Sequence, residues 1–280
     1  MSDISANNKR IAKNTLYLYL RMFVFLIMGL FTARVTINAL GVSDYGLLNV
    51  VGGIMGFIGY FSTLLSSGTS RYLTVGLGKG DMGELKKIFS ACGTLHLGMA
   101  IATLVIGETI GLWFVNYKLV IPPDRMFAAN YIYQLSLLSG FLGITQSPYM
   151  ASVIAHEKMS TFAFMSIFDV AFKLIIVCLL LYVDTDKLMM LSTFYTVTGL
   201  LTFLMYRIYC LRKFEECSMR LLWDKKLSKD IWNYVGWNSI GSFAYMANNQ
   251  GITIVLNLFF STIVNAARGI AATVSTNIYN

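Results

Sequence analysis

Residues 14–40 read NTLYLYLRMFVFLIMGLFTARVTINAL, and this stretch decides the class of fold. It runs almost without a polar break, long enough for one helix to cross a hydrocarbon layer of about 30 Å. Two arginines, Arg21 and Arg34, nevertheless lie inside it. A charge at the middle of a spanning helix costs roughly 2.5–3.5 kcal/mol on insertion scales, so such residues are rare and usually face a bundle interior. Guanidinium groups in a lipid-embedded helix point to a path for something anionic.

The rest of the chain agrees with a membrane setting. Of its 280 residues 56% are hydrophobic and 13% charged, against about 25% charged in a soluble domain. The apolar runs are too long and too many to fill soluble cores. An all-α polytopic membrane protein is the class this implies. The first fourteen residues, MSDISANNKRIAKN, are polar and basic. No short apolar region with a small-residue cleavage site follows, so the first run reads as an uncleaved span. Cys92, Cys178, Cys210 and Cys217 have no metal-type spacing, and buried small hydrophobes are the reading for them. No metal and no cofactor are expected.

Apolar periodicity places spans at about 15–39, 47–67, 88–115, 127–154, 161–183, 188–210 and 236–260, with an eighth beginning near 262. With a cytoplasmic N-terminus, fifteen of the 22 lysines and arginines fall in inner segments, and only Lys118, Arg125 and Lys187 fall outside. That asymmetry sets the orientation and explains the net charge of +8 without nucleic acid. The domains expected are a six-span lobe over 1–210, a cytoplasmic linker over 211–235 and the start of a second lobe over 236–280. The longer inner connections, 68–87 and 211–235, have room for amphipathic surface helices, and DMGELKKIF at 81–89 carries that pattern.

Several residues are candidates for function. Arg21, Arg34, Lys173 and Arg268 are the span-embedded cations, and Asp169 and Glu108 the embedded acids. Four cations against two acids leave an interior of the wrong sign for a cation pore, and a suitable one for a diphosphate. Asp169 and Lys173 lie four apart on one helix face. They read either as a mutually neutralised pair or as a pair that opens when a phosphate or coupling ion competes for a partner. Glu108 reaches the interface or pairs with Arg34. Arg21, Arg34 and Arg268 can also snorkel to headgroups. Gly52 and Gly56 make a small-xxx-small pair, for close packing or for flexibility in a moving helix. Pro148 should kink the fourth span as a static bend or a hinge. GKGDMG at 78–83 matches a dinucleotide fingerprint by letter, but no strand–helix unit surrounds it, so it reads as a turn. No nucleophile elbow and no metal-type His/Cys spacing is found, and an enzyme is not expected.

The segments GVSDYGLLNVVGGI (41–54), LGKGDMGELKKIFS (77–90), ETIGLWF (108–114), SPYMASVIAHEKMS (147–160) and NAARGIA (265–271) stand in this order along nearly the whole chain. Together they resemble the bacterial polysaccharide and O-antigen flippase family, notably its lipopolysaccharide biosynthesis members. The resemblance implies the multidrug/oligosaccharidyl-lipid/polysaccharide (MOP, MATE-like) exporter fold, in which two six-helix lobes form a V that opens alternately to each side. This chain would supply the N-terminal lobe and the first one to two helices of the second. The implied cargo is an undecaprenyl-diphosphate-linked oligosaccharide, moved across the bacterial inner membrane through a cationic cavity. That character carries over onto Arg34 and Lys173, with Arg21 and Arg268 beside them. Membrane lipids, a polysaccharide polymerase and other assembly proteins are the implied partners. Family members have twelve to fourteen spans, so the sequence is expected to be a fragment. A MATE-type drug/cation antiporter and a membrane scaffold of a polysaccharide-assembly complex are the alternatives.

Overall fold

The computed structural model describes the backbone of residues 2–279 apart from 184, 219 and 261. The side chains of 2–7, 53–61, 64, 238–247, 249–250, 262 and 273–279 lie outside the described residues. Among the described residues eight α-helices follow one another: α1 Ser2–Lys79, α2 Met82–Ile106, α3 Leu112–Tyr117, α4 Met126–Ala155, α5 Met159–Leu179, α6 Lys187–Lys213, α7 Lys225–Phe259 and α8 Thr262–Tyr279. The order matches the expected spans, with the first two joined into α1. A single residue separates its two arms. Gly41 adopts φ 79° and ψ 168°, a conformation open essentially to glycine alone. It turns the chain back so that both arms of α1 run through the bundle. The end of the bundle carrying Gly41, Pro122 and Asp186 is termed the far end, and the end carrying Gly80 and His156 the near end.

At the near end α1 passes to α2 through a two-residue turn. Gly80 has a positive φ of 74°, and the Asp81 carboxylate accepts hydrogen bonds from the amides of Gly83 and Glu84, capping α2. The fingerprint-like glycines are therefore a tight helix–helix turn. The surface helix expected at 81–89 does not form. Those residues are the opening turns of α2, and Leu85, Ile88 and Phe89 are buried, because their spacing points them into the bundle.

Four segments, Asn8–Gly52, Met82–Tyr117, Met159–Tyr182 and Lys187–Lys213, are helical and apolar enough to cross a membrane. This is a membrane protein. The expected fourth span forms as α4 but is not among those four. Its helix carries Asn130, Gln134, Ser136, Ser139, Thr145, Gln146 and Ser147, and it is central, packed against α1, α2 and α6. Protein neighbours rather than lipid receive its polar face.

Two packed layers close the bundle. At the near end Leu65, Leu73, Phe89, Tyr149, Tyr206 and Ile231 form one buried cluster. At the far end Leu47, Val50, Val115, Ile132, Tyr133 and Leu188 form another, and Ala39, Val177, Leu180 and Leu191 join α1 to α5 and α6. Between the layers the packing opens.

Two local devices hold the far end. Residues 107–111 between α2 and α3 form a π-helical turn. The wider turn brings the Gly107 carbonyl to the Tyr133 hydroxyl, which donates to it at 2.8 Å. A side chain at Gly111 would collide with that same hydroxyl. The second device is Arg125. Its guanidinium bonds Asp44, beyond the Gly41 bend, and donates to Asp186 at 2.7 Å, while Asp186 caps α6 through the amides of Leu188 and Met189. One arginine thus ties three far-end connections. The hydrogen bond to Asp44, followed by the attraction of both carboxylates, raises its pKa above the usual arginine value against the opposing effect of burial.

The segment expected as a linker, 211–235, is helical at both ends: α6 runs to Lys213 and α7 begins at Lys225, capped by Asp224 accepting from the Leu227 amide. α7 and α8 both pack against α1.

Candidate functional site

A cavity of about 730 Å³ opens between the two packed layers. Four helices build its wall. The two arms of α1 supply Arg21 and Gly52, α4 supplies Ser139 and Gln146, α5 supplies Asp169 and Lys173, and α6 supplies Tyr195 and Thr202 among others. Gly140, Gly143 and Gly199 also line it, and the absence of side chains there helps keep the space open.

Arg21, Asp169 and Lys173 are the charged residues of this wall. Lys173 donates to the Asp169 carboxylate at 2.7 Å, as their spacing of four on one helix requires. The Thr202 hydroxyl reaches the other carboxylate oxygen at 3.4 Å, and the Lys173 ammonium lies 5.8 Å from the Tyr195 ring centre. Arg21 is held differently. Its guanidinium sits over the rings of Phe25 at 5.2 Å and Phe162 at 4.8 Å, and its Nε is buried without a hydrogen-bond partner. Aromatic faces attract a cation but satisfy none of its N–H donors. Arg21 is therefore a cation of the wall that the rings hold without using its hydrogen-bond donors.

Hydroxyls fill much of the remaining wall. Ser139 and Thr196 are 3.0 Å apart across the α4–α6 interface, and the Thr196 hydroxyl also reaches the backbone carbonyl of Ser192 on its own helix at 2.9 Å. Oxygens that donate in this way keep lone pairs for an incoming hydroxyl or ammonium. Arg21 and Lys173 stand at different levels of the α5 wall, beside Phe162 and beside Asp169, and the wall between α4 and α6 is polar and uncharged.

The other expected site residues lie elsewhere. Arg34 is exposed and outside the cavity wall. It is one residue short of four helical turns from Arg21, so the two side chains do not share a face. Glu108 is exposed on the π-helical turn and accepts from the Gln134 amide at 3.0 Å, so its partner is Gln134 and not Arg34. Arg268 is on α8, outside the wall, with its Nε buried and unpartnered. Pro148 is buried on α4, which continues through it to Ala155. Gly56 lies in 53–61, outside the described side chains. Among the described residues no cluster of three or more His, Cys, Asp or Glu side chains could hold a metal ion.

The sequence reading missed the Arg125 clamp. It also missed Asn257, a fully buried residue of α7 whose side-chain carbonyl accepts from the Val120 amide at 3.1 Å. The Asp186 cap had a visible signal, an aspartate just before an apolar helix.

No family model matches the chain, and no curated protein does. Solved structures do. An inward-facing multidrug resistance MATE family transporter of the MOP superfamily superposes with a TM-score of 0.70 at 12% identity, over 95% of this chain and 61% of that one. A chain called "protein A" gives 0.75 at 13% identity, over 97% and 61%. The chain has the MOP-transporter fold. A MOP superfamily transporter from Pyrococcus furiosus, for which reversed polarity of the binding pocket suggests a different function, gives 0.65 at 14% identity, over 97% and 64%. The chain spans about three fifths of the length of the transporters it matches.

Proposed function

We propose that the chain is part of a flippase that moves an undecaprenyl-diphosphate-linked oligosaccharide across the bacterial inner membrane for lipopolysaccharide, O-antigen or capsule biosynthesis. The charge of the cavity carries this reading: Arg21 and Lys173 stand against Asp169 alone, which leaves a net positive wall. A diphosphate approaching Lys173 competes with Asp169 for the ammonium, and the Arg21 guanidinium, held over Phe25 and Phe162, adds a second positive charge to the same wall. The hydroxyl-lined side between α4 and α6 suits sugars. The Pyrococcus transporter, with its reversed pocket polarity, is a precedent for a change of function through pocket charge within one fold. The positive-inside count supports a cytoplasmic near end and N-terminus. In this arrangement residues 1–210 form the first lobe, 211–235 the connection and 236–280 the opening helices of the second lobe. A polysaccharide polymerase and other assembly proteins are its partners.

One observation favours a second reading, a MATE-type drug/cation antiporter. Asp169 lines the cavity, and multidrug MATE transporters are among the structural neighbours. Deleting the complete gene and extracting lipids separates the two. Accumulated undecaprenyl-diphosphate-linked repeat units, cleared when the gene is restored, are the expected result. An unchanged lipid pool with altered sensitivity to cationic drugs would overturn the flippase and support the antiporter.

A further inference from the structure

Between α6 and α7 the chain does not loop freely. Its backbone is stitched to α2: the Arg220 amide donates to the Ser90 hydroxyl at 3.3 Å and the Leu222 amide to the Thr94 hydroxyl at 3.1 Å. Ser90 and Thr94 are one helical turn apart, so the segment runs along α2 in an extended form. Phe214 stacks on His156 with ring centres 4.0 Å apart, and His156 bonds Glu216 at 2.5 Å. These contacts leave Leu221 75% and Trp223 64% exposed.

The charges of this region are unbalanced. Arg212, Lys213, Arg220, Lys225, Lys226 and Lys229 are all exposed, and among the described residues none has an ion-pair partner. The nearby acids are engaged elsewhere. Glu215 pairs with Lys86, Glu216 with His156, and Asp224 caps α7, which leaves Asp230.

The level of the stitches completes the case. The helical stretch Met82–Tyr117 has 36 residues, a length of about 54 Å against a hydrocarbon layer of about 30 Å. It is longer than the layer is thick, and Ser90 lies about 12 Å from its near-end terminus at Met82. Leu221 and Trp223, stitched beside Ser90 and Thr94, are therefore held along the near-end part of a helix that exceeds the layer, with the cations around them.

We infer that the stitched connection 220–229 is a binding site for anionic phospholipid headgroups at the near face of the membrane, with Leu221 and Trp223 in the acyl boundary and Arg220, Lys225 and Lys226 on the phosphates. Tryptophan at an interface and basic residues against an anionic leaflet are each favourable there. The site holds for either cargo, so its failure leaves the flippase reading untouched.

The test uses the protein in phosphatidylcholine vesicles that contain phosphatidylglycerol, with bromine on the acyl chains of one lipid or the other. The Trp223 signal is the emission of the unmodified protein less that of Trp223→Phe. Brominated phosphatidylglycerol should quench it at least about twice as strongly as brominated phosphatidylcholine at equal mole fraction. The preference should vanish in Arg220→Gln/Lys225→Gln/Lys226→Gln and shrink as salt screens the charges. If the triple variant does not fold, the salt titration of the unmodified protein decides. Equal quenching by both lipids, no quenching by either, or a preference that survives the substitutions or high salt would overturn the site. So would a preference abolished by inorganic phosphate at constant ionic strength, which would make free phosphate the ligand.

Discussion

Arg21 and Arg34 are alike in composition terms, and the structure separates them by direction. Sequence reports the depth of a charge along a spanning helix, but which face it occupies depends on neighbours that are distant in the chain. Arg21 turns to the cavity between two phenylalanine rings, and Arg34 turns away from it. On the flippase reading, replacing Arg21 by Gln should remove a charge-assisted contact worth about 1.5–3 kcal/mol, weakening diphosphate binding roughly 10- to 100-fold. Arg34→Gln should leave binding within about twofold, since an isolated exposed charge contributes little. Cells carrying the complete gene with either change would be assayed for lipid-linked repeat units and for the amount of inserted protein. Equal effects of the two changes would remove Arg21 from the site. Arg21→Lys should behave more like Gln than like the parent, because an ammonium cannot stack its plane between Phe25 and Phe162. The Asp169–Lys173 pair, by contrast, was legible from spacing alone, since both residues lie on one helix and the helix fixes their distance.

Helices were read well and their interruptions poorly, for a physical reason. Apolar periodicity is local, so the order of α1 to α8 follows from it. Bends depend on backbone conformations that a letter only permits. The break in α1 lies at Gly41, where ψ of 168° excludes even the left-handed residues that tolerate positive φ, and α4 stays helical through Pro148. Gly41→Ala should cost about 1–3 kcal/mol of stability. That cost comes from backbone strain alone, since nothing lies within 4 Å of an added Cβ. Asn should give no rescue, and thermal unfolding in detergent would show whether it does. The π-helical turn offers a sharper experiment. Tyr133→Phe forfeits the hydrogen bond to Gly107, about 1 kcal/mol, and Gly111→Ala overpacks the site by about 1–3 kcal/mol. The colliding atom is the hydroxyl, whereas the ring carbon that bears it is 3.2 Å away. The double variant should therefore be more stable than Gly111→Ala alone, a non-additivity expected of atoms in contact. If the double variant falls by the sum of the two, the turn does not rest on this contact.

Across the whole bundle, apolar layers join remote segments, and polar ties between connections are the part that periodicity does not encode. The Arg125 clamp unites residues 44, 125 and 186. Because its arginine pKa is raised, the arginine's contribution is complete below the ordinary value and is lost only as pH climbs past the folded one. Physiological pH leaves it fully formed. Asn257 makes another remote tie. It accepts from the Val120 amide and donates to the Val120 carbonyl at 3.4 Å, so the α7–α8 pair is docked on the far-end connection of the first six spans. Its amide also lies beside Asn265, a second fully buried asparagine, whose side-chain oxygen accepts from the Asn257 backbone N–H at 3.1 Å with its amide in the bonded orientation. Asn257→Ala removes the tie to Val120 while the apolar packing of both layers stays in place. Val120 is 52% exposed, so water can replace the lost partner, and the global cost should be only about 1 kcal/mol. The local effect should be larger. Amide exchange at Val120 should accelerate by roughly fivefold or more, while the amides of the near-end layer around Phe89 and Tyr149 keep their rates. Uniform acceleration through both layers would mean that Asn257 supports the bundle as a whole. Acceleration confined to the far end would make this asparagine a local lock that holds α7 to the connection at Val120.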